Sequence, residues 1–421
     1  MPSVPVRLDE TGVDALRQHL KDTVTGRKVP AAWFGVTSAN EELFFDCRGE
    51  RVFGKPNEGM VDEHTILQLF STTKFVTTVA SLQLVERGLI GLDDSDALYR
   101  HLPELAELQI LEGYTEEGEE IFRKPNNKIT LKMLLNHTCG LTYAFNSLLT
   151  ACYIQKHSIP NMLGPNASIQ SYLTPLAFEP GTRFQYGIGI DWAGHLVSRI
   201  SGLTLEEYFS KHIWGPCGIA EISFHPPSDA ESTMMAMTTR EPMHTGDVVL
   251  LESAPLGRTL DREKIHPPYS GGGGLFGTAR DYLTFLRHVL ASAEPNAKVQ
   301  LLQPDTFKLL FRDTLPDDPV IRKDLAAMAQ RQCIHDPALL TDGTGEYIGY
   351  GPGLFINKKE SKWGRKAMSG FWDGAAKTMF WIDPTSGIAA VCHTNMLTEN
   401  PDPWNQVYNQ YERILYDHLQ M

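Results

Sequence analysis

The chain reads as an α/β protein whose sheet is assembled from both chain ends, with a mainly helical domain inserted between them. Three observations predict this. Strand-like patterning occupies residues 31–54 near the start and returns over residues 346–358 and 378–396 near the end. Residues 142–230 alternate helical pieces with Pro/Gly loops. Amphipathic helices open and close the chain. The expected division is therefore residues 1–95 with 335–421 for the sheet domain, and 96–334 for the helical insertion. At 421 residues the chain can bury a sizeable core in two or so units. A pocket is expected where the two units meet.

The elements follow in order. Val13, Leu16, Leu20 and Val24 recur at helical spacing and Gly26 supplies a stop. Residues 31–54 read as two strands joined near Ser38-Ala39-Asn40. From Phe75 to Val85 no residue is charged, and a helix apolar nearly all round is read as buried; Gly88 ends it. The acidic stretch over residues 112–120 reads as an exposed loop. A helix is expected from Ile129 to Leu135. Thr278 and Asp281 form a capping-box pattern ahead of the apolar run YLTFLRHVL. Asp383-Pro384-Thr385-Ser386-Gly387 supplies a hairpin turn. Asp402-Pro403 then caps a last helix with the stripe Trp404, Val407, Tyr408, Tyr411, Ile414 and Leu415. No internal repeat or low-complexity tract is present.

Composition excludes several classes. Hydrophobic content of 42% and charged content of 21% are those of a soluble globular protein. A formal net charge of −13 argues against nucleic acid or an anionic membrane as partner. Residues 1–18 lack a basic segment followed by an apolar run, so no signal peptide is expected. No apolar run reaches the roughly 18 residues that spanning a bilayer requires. The cysteines (Cys47, Cys139, Cys152, Cys217, Cys333, Cys392) form no C-x-x-C pair. Scattered thiols fit a reducing, cytoplasmic setting better than a disulfide framework or a zinc site.

Chemistry concentrates at Ser71-Thr72-Thr73-Lys74, at the mouth of the most apolar helix. Positions i and i+3 share a helix face, about 5–6 Å apart at Cβ, so Ser71 and Lys74 meet. Desolvation disfavours the ammonium and lowers its pKa. A neutral amine beside a hydroxyl is the arrangement that turns serine into a nucleophile. A second piece is Tyr186, at a loop-to-helix junction, where a nearby cation would fit its phenol for proton transfer. The third is Trp372-Asp373-Gly374-Ala375 ahead of a strand: the glycine lets backbone approach a ligand, and the next N–H then points at a developing oxyanion.

These motifs fall in order with Leu135-Asn136-His137-Thr138-Cys139-Gly140-Leu141, with Asp191-Trp192-Ala193-Gly194 after Tyr186, and with SGGGGLFGT over residues 270–278. In that order and spacing the chain resembles the serine β-lactamase-like superfamily. It is most similar to the class C-type esterase branch and, within it, to fungal transesterases of the lovastatin acyltransferase type. The resemblance covers nearly the whole length. It implies an antiparallel sheet flanked by helices, with Ser71 as the acylated nucleophile. Lys74 and Tyr186 would share the base and proton-shuttle work; which of them is the base varies among S-x-x-K relatives. The N–H groups of Ser71 and Ala375 would form the oxyanion hole, with Gly374 beside them. Two departures matter. Ile188 stands where penicillin-recognising enzymes carry a polar residue, and Trp372-Asp373-Gly374 replaces their Lys-Thr-Gly clamp. Lys377-Thr378 is followed by Met379, so it is not a displaced copy. Both changes favour a neutral ester or thioester over an anionic β-lactam.

Other motifs carry less. Residues 272–277 match G-x-G-x-x-G, but no strand precedes them as a dinucleotide site requires; a glycine-rich wall of the active site is the better reading. His137 is expected to be structural, capping or bridging backbone. The histidines show no ligand spacing, so neither a metal nor any other cofactor is implied. Tyr143, Phe145, Trp372 and Trp192 are expected to line an acyl or ring pocket, with a plain core role open for Trp192. The function expected is serine acyl transfer from a thioester or ester to an alcohol of a small natural product. A carboxylesterase or lactone hydrolase with the same Ser-Lys-Tyr site is the enzymatic alternative, and a non-catalytic scaffold the other. The partners are then a small-molecule acyl donor and acceptor, with an acyl carrier domain as a further donor form.

Overall fold

The computed structural model describes residues 5–252, 255–332 and 345–420; Cys333 and the expected boundary between residues 334 and 335 lie outside them. Helix α1 (Glu10–Thr25) starts where the Asp9 carboxylate accepts from the Gly12 N–H, and it buries Leu16 and Leu20. Strands β1 (Ala31–Ser38) and β2 (Glu42–Gly49) form a hairpin. A 3₁₀ turn over Phe70–Thr72 leads into α2 (Thr73–Glu86). The middle holds a ribbon of β3 (Ile110–Tyr114) and β4 (Glu120–Arg123), then the helices α3 (Gly189–Ser201) and α4 (Ala279–Ala291). The last stretch supplies β5 (Ile348–Tyr350), β6 (Phe355–Asn357), β7 (Gly370–Trp372), β8 (Thr378–Asp383), β9 (Ile388–His393) and helix α5 (Trp404–Asp417).

The main sheet has the order β5-β6-β7-β8-β9-β1-β2 and is antiparallel at every pairing. Its two chain ends join through β9 and β1, where Val391 faces Gly35. Strands β1, β8 and β9 are buried along their whole length because helices cover both faces. Adjacent residues on β8 show the two faces, as strand alternation requires. Phe380 packs against Phe75 of α2 and Tyr282 of α4, with centroids 5.3 and 5.4 Å away. Trp381 packs on Tyr408 and Tyr411 of α5, both at 5.5 Å. Gly35 allows α4 to close on the sheet, since a Cβ there would stand 2.8 Å from Leu283 Cδ2. Behind the sheet Arg365 and Glu412 form a wholly buried pair at 2.6 Å.

The structure differs from the sequence reading at several points. Residues 112–120 are an exposed loop only over 115–119; the flanks pair as a ribbon, with Gly118 at φ +84° in the turn, Arg123 pairing with Glu112 at 2.7 Å, and Glu120 met by Lys156 and His157. A two-stranded ribbon with outward charges lacks the apolar alternation that marks a strand. Ser71 lies in the 3₁₀ turn before α2 and not on the helix itself. Thr278 caps α4, but Asp281 turns away to accept from the Ala220 and Glu221 N–H groups. No described helix is long and apolar enough to cross a membrane.

Candidate active site

The turn that carries Ser71 is held from three sides. Thr72 Oγ1 donates to the Leu69 carbonyl at 2.8 Å and Tyr282 Oη to the Thr72 carbonyl at 3.0 Å. The Trp372 indole N–H donates to the Ser71 carbonyl at 3.1 Å. Phe70 takes φ +47°, a strained backbone of the kind that clusters at functional sites. The result presents Ser71 Oγ to a cavity of about 460 Å³ between the sheet and the helical segments.

Ser71 Oγ lies 2.6 Å from Tyr186 Oη and 3.4 Å from Lys74 Nζ. The S-x-x-K and tyrosine motifs, 115 residues apart, thus meet. Lys74 is wholly buried. Its ammonium also donates to the Gly272 carbonyl at 2.6 Å and to Tyr143 Oη at 2.8 Å. It sits 4.7 Å from the Tyr186 ring centroid and 5.0 Å from that of Tyr143. Burial pushes its pKa down to about 8, while the charges of Asp191 and Asp373 oppose the fall. The downward shift brings the free amine within reach near neutral pH.

A layer beneath this was not read from the sequence. Tyr143 donates to Asp191 at 3.3 Å while accepting from Lys74, so its hydroxyl joins the polar network as well as lining the cavity. Burial, then Asp191, raises the Tyr143 pKa well above the usual phenol range, which keeps it protonated. Asp191, wholly buried on the first turn of α3, accepts from Ser270 Oγ at 2.7 Å and the Gly272 N–H at 2.8 Å. A carboxylate in the otherwise apolar run YGIGIDWAG was the available signal. Gly272 must be glycine: a Cβ there would lie 2.2 Å from Asp191 Oδ2. The glycine-rich segment is therefore a cavity wall, as expected, with Gly272 and Gly273 lining it.

The remaining expected residues divide. Gly374 and Ala375 line the cavity beside Ser71, and Gly374 has no room for a Cβ against Leu69 O at 2.3 Å. Phe145 lines it too, stacked on Tyr143 at 5.1 Å and 68% exposed. Trp372 does not. It is buried behind the nucleophile turn, 5.3 Å from the Tyr186 ring, because its indole is spent on the Ser71 carbonyl. Trp192 is core, with its N–H on the Tyr172 carbonyl. His137 is also corrected. Its ring is packed structurally but neither caps nor bridges backbone; among the described residues both nitrogens lack a hydrogen-bond partner, and it stands edge-on to Tyr186 at 4.9 Å. Burial, then Lys74, holds it well below the usual imidazole pKa.

Comparison with known proteins gives the family and agrees with the fold. The family model described as Beta-lactamase matches residues 16–409. The chain is 31% identical over 375 residues to a lovastatin esterase of Penicillium rubens, covering 86% of this chain and 88% of that protein. It is 29% identical over 415 residues to a monacolin J acid methylbutanoyltransferase of Aspergillus terreus, covering 95% and 92%. A simvastatin synthase variant from Aspergillus terreus superposes with a TM-score of 0.80 at 26% identity, over 97% of this chain and 95% of that one. With its full-length match, its antiparallel sheet and its serine beside a buried lysine, the chain belongs to the β-lactamase family.

Proposed function

We propose that this protein is a serine acyltransferase that moves an acyl group from a thioester or ester to an alcohol of a small natural product through acyl-Ser71. The observation that carries the reading is Ser71 Oγ at 2.6 Å from a phenol and 3.4 Å from a buried amine, on the wall of a largely apolar cavity. Ser71 Oγ attacks the donor carbonyl and its proton passes to the Tyr186–Lys74 pair. The Ser71 and Ala375 N–H groups hold the tetrahedral oxyanion. Collapse breaks the bond to the leaving group, which departs as thiol or alcohol with the proton returned to it. The acceptor hydroxyl then attacks acyl-Ser71 and gives its proton to the same pair; collapse breaks the bond to Ser71 Oγ, which takes that proton back as the new ester leaves. Tyr143, Asp191 and Gly272 set the height and charge of Lys74.

The relatives point to the substrate class. One is named for transfer onto monacolin J acid, so a hydroxylated, acid-bearing natural product is the acceptor proposed here. An acyl carrier domain is one form the donor takes, and a cytoplasmic location fits the scattered thiols. The relative named as an esterase supports a second reading, hydrolysis by water at the same acyl-enzyme. The domain division into 1–95 with 335–421, and 96–334, is our reading of how the sheet and the helical insertion share the site.

Intact mass after mixing with p-nitrophenyl esters tests the proposal. The protein should gain one acyl group, and Ser71→Ala should lose both the adduct and at least about a thousandfold in rate. Absence of adduct and turnover across acyl lengths would leave only a binding scaffold. Adding alcohols and identifying the product separates transfer from hydrolysis.

A further inference from the structure

Arg258 is a buried guanidinium with no acid to balance it: it is 3% exposed, and among the described residues no carboxylate stands within ion-pair distance. Burying an unpaired charge is costly. Burial pushes its pKa down to about 9, which leaves it charged at neutral pH. What holds it is the glycine wall. Nη1 donates to the Gly273 carbonyl at 3.2 Å, and Nη2 to the Gly274 and Leu275 carbonyls at 2.5 and 3.3 Å. The guanidinium also sits 3.7 Å from the Phe276 ring centroid and 5.2 Å from that of Phe70, and a cation is attracted to a ring face at such distances. Phe70 is the residue at φ +47° immediately before Ser71. The Leu275 carbonyl accepts a second bond, from the Leu69 N–H at 3.1 Å, and the Leu275 N–H donates to Thr73 Oγ1 at 3.1 Å. Leu69 and Thr73 bracket Ser71. Earlier in the same wall, the Gly272 carbonyl takes the Lys74 ammonium. One side chain thus meets both the strained residue before the serine and the segment that receives the lysine.

We propose that Arg258 is a positioning residue for acyl transfer: it locks the glycine wall onto the turn that carries Ser71, and so keeps the Lys74 amine in reach of Ser71 Oγ. The inference rests on the acyl-transfer reading. Lys74 Nζ stands 2.6 Å from the Gly272 carbonyl but 3.4 Å from Ser71 Oγ, so the wall dictates where the amine sits. Lys74 and Gly272 are 198 residues apart, and glycines bring no side chains with which to pack against the turn. Asp191 fixes one end of the wall, through Ser270 Oγ and the Gly272 N–H. Arg258 fixes the other, at residues 273–275. A planar guanidinium with a rigid fork of donors suits a run of neighbouring carbonyls, whereas an ammonium is a point charge. Displacing a reacting group by about 1 Å costs about a hundredfold in rate, so a frame of this kind is felt in the chemistry.

The competing role is plain packing, in which Arg258 stabilises the fold and leaves the chemistry alone. Arg258→Met keeps much of the volume and removes every donor. Its acylation by p-nitrophenyl hexanoate, read as the burst of p-nitrophenol well below Tm, is expected to slow by about a hundredfold with KM little changed. Wild-type acylation in folded Arg258→Met, or a loss confined to KM, overturns the proposal. Should Arg258→Met fail to fold, Arg258→Lys takes its place with an expected loss of about tenfold, and wild-type acylation there overturns it equally. Phe276→Leu withdraws the nearer ring from the guanidinium. Combined with the Arg258 variant, it should cost less than the product of the two single losses, because both act through one contact; losses that simply multiply overturn the proposal. Hydrogen exchange reads the frame without turnover. Amides over residues 67–77 and 270–277 should exchange faster in the Arg258 variant than in the wild type, and unchanged exchange in both segments counts against the role. A wild type that forms no acyl-enzyme therefore defeats the acyl-transfer reading, while the exchange comparison still judges Arg258.

Discussion

At the scale of single residues, the site turns on the protonation of Lys74. Its buried ammonium donates to Ser71, Tyr143 and Gly272, and only the free amine can accept a proton. Burial brings the pKa to about 8, against the upward pull of Asp191 and Asp373. If the amine is the base, kcat/KM for acylation rises with pH through about 8 and levels above it. Asp191→Asn removes an anion that stabilises the ammonium, so the rise moves to lower pH. Stopped-flow release of p-nitrophenol across pH 5–10 checks this; an unshifted midpoint assigns the limb to another group. Tyr186→Phe removes the hydroxyl nearest Ser71 Oγ, at 2.6 Å. It is expected to lower kcat by roughly a hundredfold or more with little change in Tm, since the ring and its packing remain.

At the scale of elements, two segments with little regular structure shape the cavity. The 3₁₀ turn before α2 is braced by Trp372, and the glycine wall is drawn onto Asp191 and Lys74. Gly272→Ala places a Cβ 2.2 Å from Asp191 Oδ2, so the wall must retreat and Lys74 loses its shortest contact. Overpacking of this kind costs about 1–3 kcal/mol. Thermal unfolding should register that loss, and acylation should fall further than Tm alone explains. Wild-type acylation in Gly272→Ala would show that the wall does not position the amine.

At the scale of the whole molecule, stability and chemistry are set in different places. The Arg365–Glu412 pair at 2.6 Å joins the segment before β7 to α5, on the sheet face away from Ser71. Breaking a buried pair leaves an uncompensated charge, at roughly 3–5 kcal/mol. Glu412→Gln should therefore lower Tm markedly while kcat at temperatures well below the transition stays near wild type. Urea unfolding and esterase assays on one preparation measure both; a proportionate loss of kcat would tie the pair to the site.

Much of this was legible beforehand because local pattern carried it. The apolar run after Ser71 announced α2, the terminal stripes announced α1 and α5, and the strands that lie buried between helices showed as apolar runs. The residues joined by short spacing, Ser71 with Lys74 and Gly374 with Ala375, were likewise visible, and ordered motifs added Tyr186. What the linear order could not state was which distant groups converge. Asp191 beneath Lys74, Tyr143 as a hydrogen-bonding partner and the indole of Trp372 turned away from the cavity all depend on packing between segments far apart in the chain. Side-chain direction at a turn follows from the backbone angles that neighbouring elements impose, and those neighbours lie hundreds of residues off. The chain alone thus determined the layers and the candidate serine. Tertiary packing decided the electrostatics around it, because charge is felt through space and not along sequence.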